Sequence, residues 1–353
     1  MGIREDARVN VAVEGWRGLA ALLVLVSHWL PAVGLRHPWV EFAFTGVDMF
    51  FVLSGFVFAP QCLGLQQQQH LAGYALRRVM RIYPAYLVAL AVYAMLAALD
   101  GRPLMYLVEH LLMAHVQTRE MAFYYSAPFW SLPSELEFYA LVPLLGWGLV
   151  RLGRPWALPV LLLAAGVVRL ALVAAADGTA QNAAYVSLHH LPGLLVEFLL
   201  GVWAWQQQQK AWAVRKRWAW ALAGLAGIVG CGLMFEVAQT GAGGPDWRNG
   251  QLGLGVALAF TLVVAGTAGL KVPAWPGQEM GRKVCIWAGK LSYGTYLLHT
   301  AWVGALGAWA ARWGAGVALL AAACGLVVSV LALHLWVEEP LRRWGRRTAA
   351  RWG

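Results

Sequence analysis

Ten apolar stretches, each long enough to cross a bilayer, constrain this chain of 353 residues more than any other feature of its sequence. A transmembrane helix needs about 20 predominantly apolar residues to cross the hydrocarbon core. The stretches lie at about 18–36, 40–60, 83–99, 136–152, 156–176, 188–205, 217–235, 250–270, 291–311 and 315–337. With 60% hydrophobic and 12% charged residues, the chain has more apolar surface than a soluble domain of its length can bury. The sequence therefore predicts an all-α, polytopic integral membrane protein.

Two segments need separate interpretation. The stretch 104–116, with His110 and His115, is too short and too polar to span comfortably, and we expect an interfacial or re-entrant helix there. The first dozen residues are polar, and the apolar run after them has no small-residue cleavage pattern, which predicts a retained span and not a signal peptide. We therefore expect one transmembrane domain over residues 1–353, with short cytoplasmic tails at about 1–12 and 341–353.

Basic residues set the expected orientation. If the N-terminus is cytoplasmic, 21 of the 27 Lys and Arg residues lie on the inner side, as the positive-inside rule requires. Both termini are then cytoplasmic.

The net charge of +10 does not indicate nucleic-acid binding, because the basic residues lie between apolar spans. The four cysteines have no CxxC spacing, so the sequence predicts neither a metal site nor a disulfide framework.

Ionisable side chains within apolar spans are costly, and they are candidates for function. His28 lies on the first predicted span and Asp48 on the second, each about eight residues from the outer end, or roughly 12 Å deep. On consecutive antiparallel spans the two can meet. A carboxylate beside an imidazole would fix its tautomer and let His28 act as a general base. A His–Asp pair that only joins two helices is the alternative, and it stays open here.

Six motifs follow one another along the chain and carry a family resemblance. Their letters are V-E-G-W-R-G-L-A with His28, F-T-G-V-D-M-F-F-V-L-S-G-F, R-R-V-M-R-I-Y-P, W-S-L-P-S-E-L-E-F-Y, L-S-Y-G-T-Y-L-L-H and E-E-P, and they lie at Val13–Ala20, Phe44–Phe56, Arg77–Pro84, Trp130–Tyr139, Leu291–His299 and Glu338–Pro340. In this order they resemble the acyltransferase-3 family of polytopic membrane O-acyltransferases, from about residue 11 to 345.

The resemblance implies a fold of about ten spans, an acyl-coenzyme A donor, most simply acetyl-coenzyme A, and a carbohydrate or other hydroxyl acceptor. It implies a donor-binding role for Arg17, which stands in the family's Arg–ten residues–His motif with His28, and for Arg78 and Arg81, which match its Arg-x-x-Arg motif. A guanidinium can bind a phosphate through two parallel hydrogen bonds, which agrees with that role. Ordinary positive-inside topology is the alternative explanation for these arginines.

The remaining candidates lie near the ends of predicted spans. Glu135, Trp130 and Tyr139 are expected at the outer start of the fourth span, where they would bind the acceptor; an interfacial acid beside an aromatic belt is the alternative. His299 would line the donor channel, or else make a packing hydrogen bond between helices. Pro133 and Leu136 depart from the family pattern, as does Glu14, which stands where an Asp is usual.

The expected partners are acyl-coenzyme A, a hydroxyl acceptor and membrane lipids, in a bacterial inner membrane; whether the chain forms a homo-oligomer is left open. No esterase-like domain follows the last span, which favours direct acylation of the acceptor at the membrane site. A transporter or flippase of lipid-linked sugars is the main rival function, because the same ionisable residues could relay protons or bind cargo. An inactive scaffold is a third.

Overall fold

The computed structural model describes residues 10–64, 71–176, 183–240, 247–270 and 278–352. Every regular element in these ranges is helical, which confirms the all-α prediction. The α-helices are α1 Val11–Ala32, α2 Pro38–Phe42, α3 Gly46–Cys62, α4 Leu71–Leu99, α5 Leu107–Leu111, α6 Arg119–Phe123, α7 Leu132–Leu152, α8 Ala157–Ala175, α9 Ala183–Leu188, α10 Leu191–Gln208, α11 Val214–Thr240, α12 Trp247–Thr267, α13 Gln278–Leu298, α14 Val303–Trp313, α15 Ala315–Leu333 and α16 Glu339–Ala349.

All ten predicted spans fall on these helices. Within the described ranges, seven helical runs are long and apolar enough to cross a membrane by length and composition; they are Val11–Ala32, Pro38–Cys62, Leu71–Leu99, Ala157–Ala175, Val186–Gln208, Val214–Gln239 and Ala315–Ala349. The other three predicted spans correspond to α7, to α12, and to α13 with α14. The chain is therefore a polytopic membrane protein.

Several helices begin well before the apolar run that predicted them. Helix α1 begins at Val11, whereas the apolar run begins near residue 18. Glu14 and Arg17 interrupt the apolar pattern, but they lie one turn apart on the helix and form an ion pair of 3.6 Å. The apolar pattern likewise placed the start of α4 at 83, whereas the helix begins at Leu71 and includes three arginines. A search for apolar residues therefore misses the start of a helix whose first turns carry charged side chains.

The ninth predicted span, 291–311, is not one helix. Helix α13 runs from Gln278 to Leu298, a 3-10 turn covers His299–Trp302, and α14 continues from Val303. His299 thus follows the end of a 21-residue helix, whereas the sequence placed it eight residues inside a span. The basic residues in the first half of α13 interrupt the apolar pattern, so the pattern again misses where the helix begins.

Neither α-helix between α4 and α7 is long enough to cross a membrane, since α5 and α6 have five residues each. Helix α5 is flanked by Tyr106 and Met113, which have positive φ values of 58° and 52°. The imidazoles of His110 and His115 stack at 4.1 Å with 9° between their planes, and both residues are fully buried. Burial lowers the pKa of His115 to about 4, and the neighbouring His110 adds to the effect.

The chain divides into two compact units. The first consists of the described parts of 1–27, 37–59 and 197–293. Its helices α3 and α10 pack closely, because a Cβ at Gly55 would collide with the carbonyl of Phe198, and one at Gly201 with the carbonyl of Val52. Small residues at such positions let two backbones approach in the manner common to membrane helices.

The second unit consists of the described parts of 28–36, 60–196 and 294–353. Helix α4 lies at its centre and buries Tyr74, Tyr86 and Tyr93 among other residues. Each of the three hydroxyls donates to a backbone carbonyl of another element, respectively at Tyr139, His110 and Leu297. These bonds tie α4 to α7, α5 and α13, and they position the side chains considered next.

Candidate active site

His299 occupies the first position of the 3-10 turn and is fully buried. Its Nδ1 lies 3.1 Å from the carbonyl oxygen of Thr295 and 2.9 Å from that of Tyr296. Because a carbonyl oxygen can only accept, Nδ1 carries the hydrogen of the neutral ring. Nε2 of His299 is therefore the nitrogen with the lone pair.

That lone pair faces His28, which lies four residues before the end of α1 and is half-buried. His28 Nδ1 is 3.4 Å from His299 Nε2, and the ring centroids are 5.0 Å apart at 65°. Since His299 Nε2 is an acceptor, the hydrogen-bond pattern assigns a proton to His28 Nδ1. The tautomer of His28 therefore carries its own lone pair on Nε2, as a general base requires.

Three side chains from elsewhere in the second unit bond the end of α13 and the turn that follows it. Trp29 Nε1 donates to the His299 carbonyl over 2.8 Å. The Tyr93 hydroxyl donates to the Leu297 carbonyl over 2.8 Å and lies 2.7 Å from the hydroxyl of Thr300. That Thr300 hydroxyl is also 2.8 Å from Ser126 Oγ. The sequence analysis did not single out Trp29, Tyr93 or Ser126, because nothing in their spacing points to residue 299.

Trp130 lies in the 3-10 turn Ala127–Ser131 before α7. Its ring packs edge to face on His189, with centroids 5.2 Å apart. The same turn is joined to α13, since the Tyr296 hydroxyl donates to the Pro128 carbonyl over 2.9 Å and lies 2.7 Å from Ser131 Oγ. Trp130, predicted as an acceptor-binding residue, is thus on a turn bonded to the helix that ends just before His299.

Arg78 belongs to a second cluster, at one side of α4. Its guanidinium carbon is 5.5 Å from the ring centroid of Tyr74 and 6.0 Å from that of Tyr139. Tyr139 donates its hydroxyl to Glu135, one turn earlier on α7. Tyr139 thus contacts both Arg78 and Glu135. The sequence predicts these two residues at opposite membrane faces, and that placement stays a prediction.

Three further predicted site residues are Arg81, Arg17 and Asp48. Arg81 is one turn beyond Arg78 on α4 and is half-buried. Arg17 pairs with Glu14 in α1, and Asp48 lies in the first turn of α3. Arg17 and Asp48 belong to the first unit and His28 to the second, so the pairing of Asp48 with His28 stays a prediction.

Glu338, the first residue of the E-E-P motif, is buried in the turn that follows α15. His334 Nδ1 lies 2.8 Å from a carboxylate oxygen of Glu338 within a π-helical turn, His334–Glu338. Both side chains are buried. Over the described ranges, no three His, Cys, Asp or Glu residues come together as a possible metal site.

The comparisons with known proteins agree with this picture. A family described as an acyltransferase domain matches residues 10–334. The protein BcsY of Komagataeibacter xylinus, which is named as a membrane-bound transacylase, is 30% identical over 256 residues, or 67% of this chain. The match covers 61% of that relative's length. No solved structure matches the chain. The family match extends over nearly all of the described helices, and this chain therefore belongs to the acyltransferase-3 family that its motifs predicted.

Proposed function

We propose that this protein transfers an acyl group, most simply acetyl, from acyl-coenzyme A to a hydroxyl of a carbohydrate, a cell-envelope glycan or a glycosylated metabolite. It would act in the inner membrane of a bacterium, with both termini in the cytoplasm. Membership of the acyltransferase-3 family supports the reaction class. The contact between His28 and His299 is the observation that carries the mechanism, because it gives His28 the tautomer of a general base.

The chemical step uses Nε2 of His28. The acceptor oxygen forms a bond to the thioester carbonyl carbon while its proton passes to His28 Nε2. The tetrahedral intermediate then collapses, the C–S bond breaks, and the coenzyme A thiolate takes the proton back from His28. The ester and free coenzyme A are the products, and no oxidant or metal enters the balance.

His299 is proposed as a positioning residue in this mechanism. Its Nε2 accepts from Nδ1 of His28, and that hydrogen bond becomes charge-assisted when His28 is protonated. It therefore supports the imidazolium that forms in the transition state. The sequence also predicts a donor-channel role for His299, and that role stays a separate prediction. Asp48 keeps its predicted role as the carboxylate that stabilises protonated His28, and Arg17 keeps the donor-binding role that the family resemblance implies.

The cluster around Arg78 supports the donor assignment. The guanidinium lies near two tyrosine rings, an arrangement that orients its fork of donors. Arg81 follows one turn later, so the two side chains can reach different phosphate groups of one coenzyme A. Glu135, Tyr139 and Trp130 are proposed as acceptor contacts, since a carboxylate can accept from sugar hydroxyls and an indole face can pack on a sugar ring.

Purified protein with labelled acetyl-coenzyme A tests the proposal. The wild type should bind the donor and consume it, whereas a transporter or flippase should do neither specifically. Replacing His28 by Ala should reduce turnover by roughly 10²–10⁴-fold while donor binding persists. His37→Asn is the matched control, because His37 is exposed and its role is to cap α2. Near-normal turnover in His28→Ala would remove His28 from the mechanism.

A double-mutant cycle tests the role of His299. His299→Leu removes the acceptor of His28 Nδ1 and should lower kcat with little change in donor affinity. Combined with His28→Ala it should add little further loss, because residues that act as one unit are not additive. Losses that simply multiply would show that His299 acts elsewhere.

The acceptor can be identified in the cell. Mass spectrometry of envelope glycans and secreted metabolites from wild-type and deletion strains should show one species that has lost the acyl mass. A deletion strain complemented with His28→Ala should show the same loss.

A further inference from the structure

Helix α16 packs antiparallel along the first half of α4. A Cβ at Gly345 would lie 2.8 Å from Met80 Cβ, and one at Gly73 would lie 3.4 Å from the carbonyl of Ala349. Because the two helices are antiparallel, residues before Gly345 on α16 lie beside residues after Met80 on α4. Arg342 is therefore at the level of Arg81, the second arginine of the Arg-x-x-Arg motif.

Positive charge is concentrated at this contact. Arg342 is bonded to Glu339, but the same carboxylate also binds Arg343 over 2.6 Å and lies 3.6 Å from Arg346. One carboxylate is thus shared by three guanidinium groups. Arg81 adds a further positive charge near enough to Arg342 to repel it. An excess of positive charge between two packed helices favours a bound anion.

Arg342 also has donor capacity left over. Its side chain is 25% exposed, and its buried Nε has no hydrogen-bond partner among the described residues. A buried donor without a partner costs free energy unless a ligand or water satisfies it. A phosphate oxygen would satisfy Nε and would also offset the repulsion from Arg81.

We propose that Arg342 and Arg81 bind a phosphate monoester, and specifically the 3′-phosphate of the coenzyme A donor. This inference rests on the proposed function. Coenzyme A carries a diphosphate and a separate monoester on its ribose, and the monoester has the higher charge. Arg78 is surrounded by Tyr74 and Tyr139 and suits the diphosphate, whereas Arg342 is partly exposed and faces a second helix. The two arginine sites then account for two phosphate positions of one donor.

Binding of coenzyme A and of dephospho-coenzyme A, which lacks the 3′-phosphate, tests this proposal by calorimetry on the full chain in nanodiscs. The wild type should bind coenzyme A at least about tenfold more tightly than dephospho-coenzyme A, since a hydrogen bond to a charged group is worth that much. Arg342→Gln should lose this preference and leave dephospho-coenzyme A affinity unchanged. Arg343→Gln is the matched control, because it also removes a partner of Glu339 but is largely exposed.

Each outcome has a separate meaning. If the wild type binds neither nucleotide, the proposed function fails. If the wild type binds both and Arg342→Gln keeps the preference for coenzyme A, the Arg342 site is overturned and the proposed function stands. If Arg342→Gln keeps the nucleotide preference but retains less phosphatidylglycerol than the wild type in native mass spectrometry, the cluster binds lipid, and the donor site is also overturned. Should Arg342→Gln unfold, Arg342→Lys keeps the charge without the fork and should show an intermediate preference.

Discussion

The indole N–H of Trp29 donates to the backbone carbonyl of His299, while the imidazole of the preceding residue, His28, meets the imidazole of the same His299. Two consecutive residues of α1 therefore hold both the backbone and the ring of one partner. The base role proposed for His28 requires a fixed geometry, and this double attachment holds the His28 ring relative to the turn at His299.

Replacing Trp29 by Phe should keep the aromatic packing and remove the hydrogen bond to His299. We expect kcat to fall by about fivefold to tenfold, the value of one neutral hydrogen bond, with the donor Kd unchanged. Steady-state kinetics with labelled acetyl-coenzyme A measures it. Trp39→Phe removes a comparable indole bond, to Glu236 in the first unit, and serves as the control. A fall in expression without a change in kcat would make Trp29 a packing residue only.

The predicted role of Asp48 can be tested independently of its position. Asp48→Asn keeps the shape of the side chain and removes the charge that would stabilise a protonated His28. Turnover should fall at least about tenfold, by analogy with the orienting acid of a catalytic triad. The double mutant with His28→Ala should be little worse than His28→Ala alone. Asp100→Asn, at an exposed residue paired with Arg102, is the control. Full activity of Asp48→Asn would refute the dyad.

Arg78→Ala should chiefly weaken coenzyme A binding. Loss of a charge-assisted hydrogen bond should raise the Kd by about tenfold to a hundredfold. Calorimetry with coenzyme A measures the change, and Arg77→Ala, the adjacent position on α4, is the control. An unchanged Kd in Arg78→Ala would remove this arginine from the donor site, whatever its effect on stability.

The stacked pair of His110 and His115 predicts a stability that depends on pH. His115 has an ordinary pKa of 6.5 and a folded-state pKa of about 4, so the unfolded chain binds the proton more readily. Its contribution is fully present above pH 6.5 and is lost as the pH falls toward 4, by up to about 3 kcal/mol. Thermal unfolding in detergent between pH 7.5 and 5 should show a steeper loss for the wild type than for His115→Gln. Parallel curves would contradict the prediction.

Orientation is tested by single cysteines at exposed positions in a variant without the four native cysteines. Cysteines replacing Lys210 and Arg154 should be shielded from an impermeant label in intact cells, because the positive-inside rule places them in the cytoplasm. Those replacing Asp100 and Arg312 should be labelled from outside. The predicted outer loops around 178–184 and 240–248 fall largely outside the described residues, so these positions are better probes. The reverse pattern would invert the predicted topology.

Much of the architecture could be predicted because the apolar runs are long. His28 was found for the same reason, since an ionisable residue stands out within an apolar span. Its contact with His299 could not be predicted, because the two are 271 residues apart and the 3-10 turn that orients the buried His299 ring toward His28 has no local signal. The contacts of Tyr139 with Arg78 and Glu135 were also not predicted, because Arg78 and Tyr139 lie on different helices and no sequence spacing relates them.

Helix α16 has a consequence for the order in which the protein matures. Its Arg342 lies 261 residues after Arg81 along the chain, yet the two helices that carry them pack side by side. During synthesis α4 is made long before its partner exists. The arginine surface of α4 is therefore completed only after α16 has left the ribosome, and a nascent chain that stops before α16 should insert into the membrane without gaining full affinity for the donor.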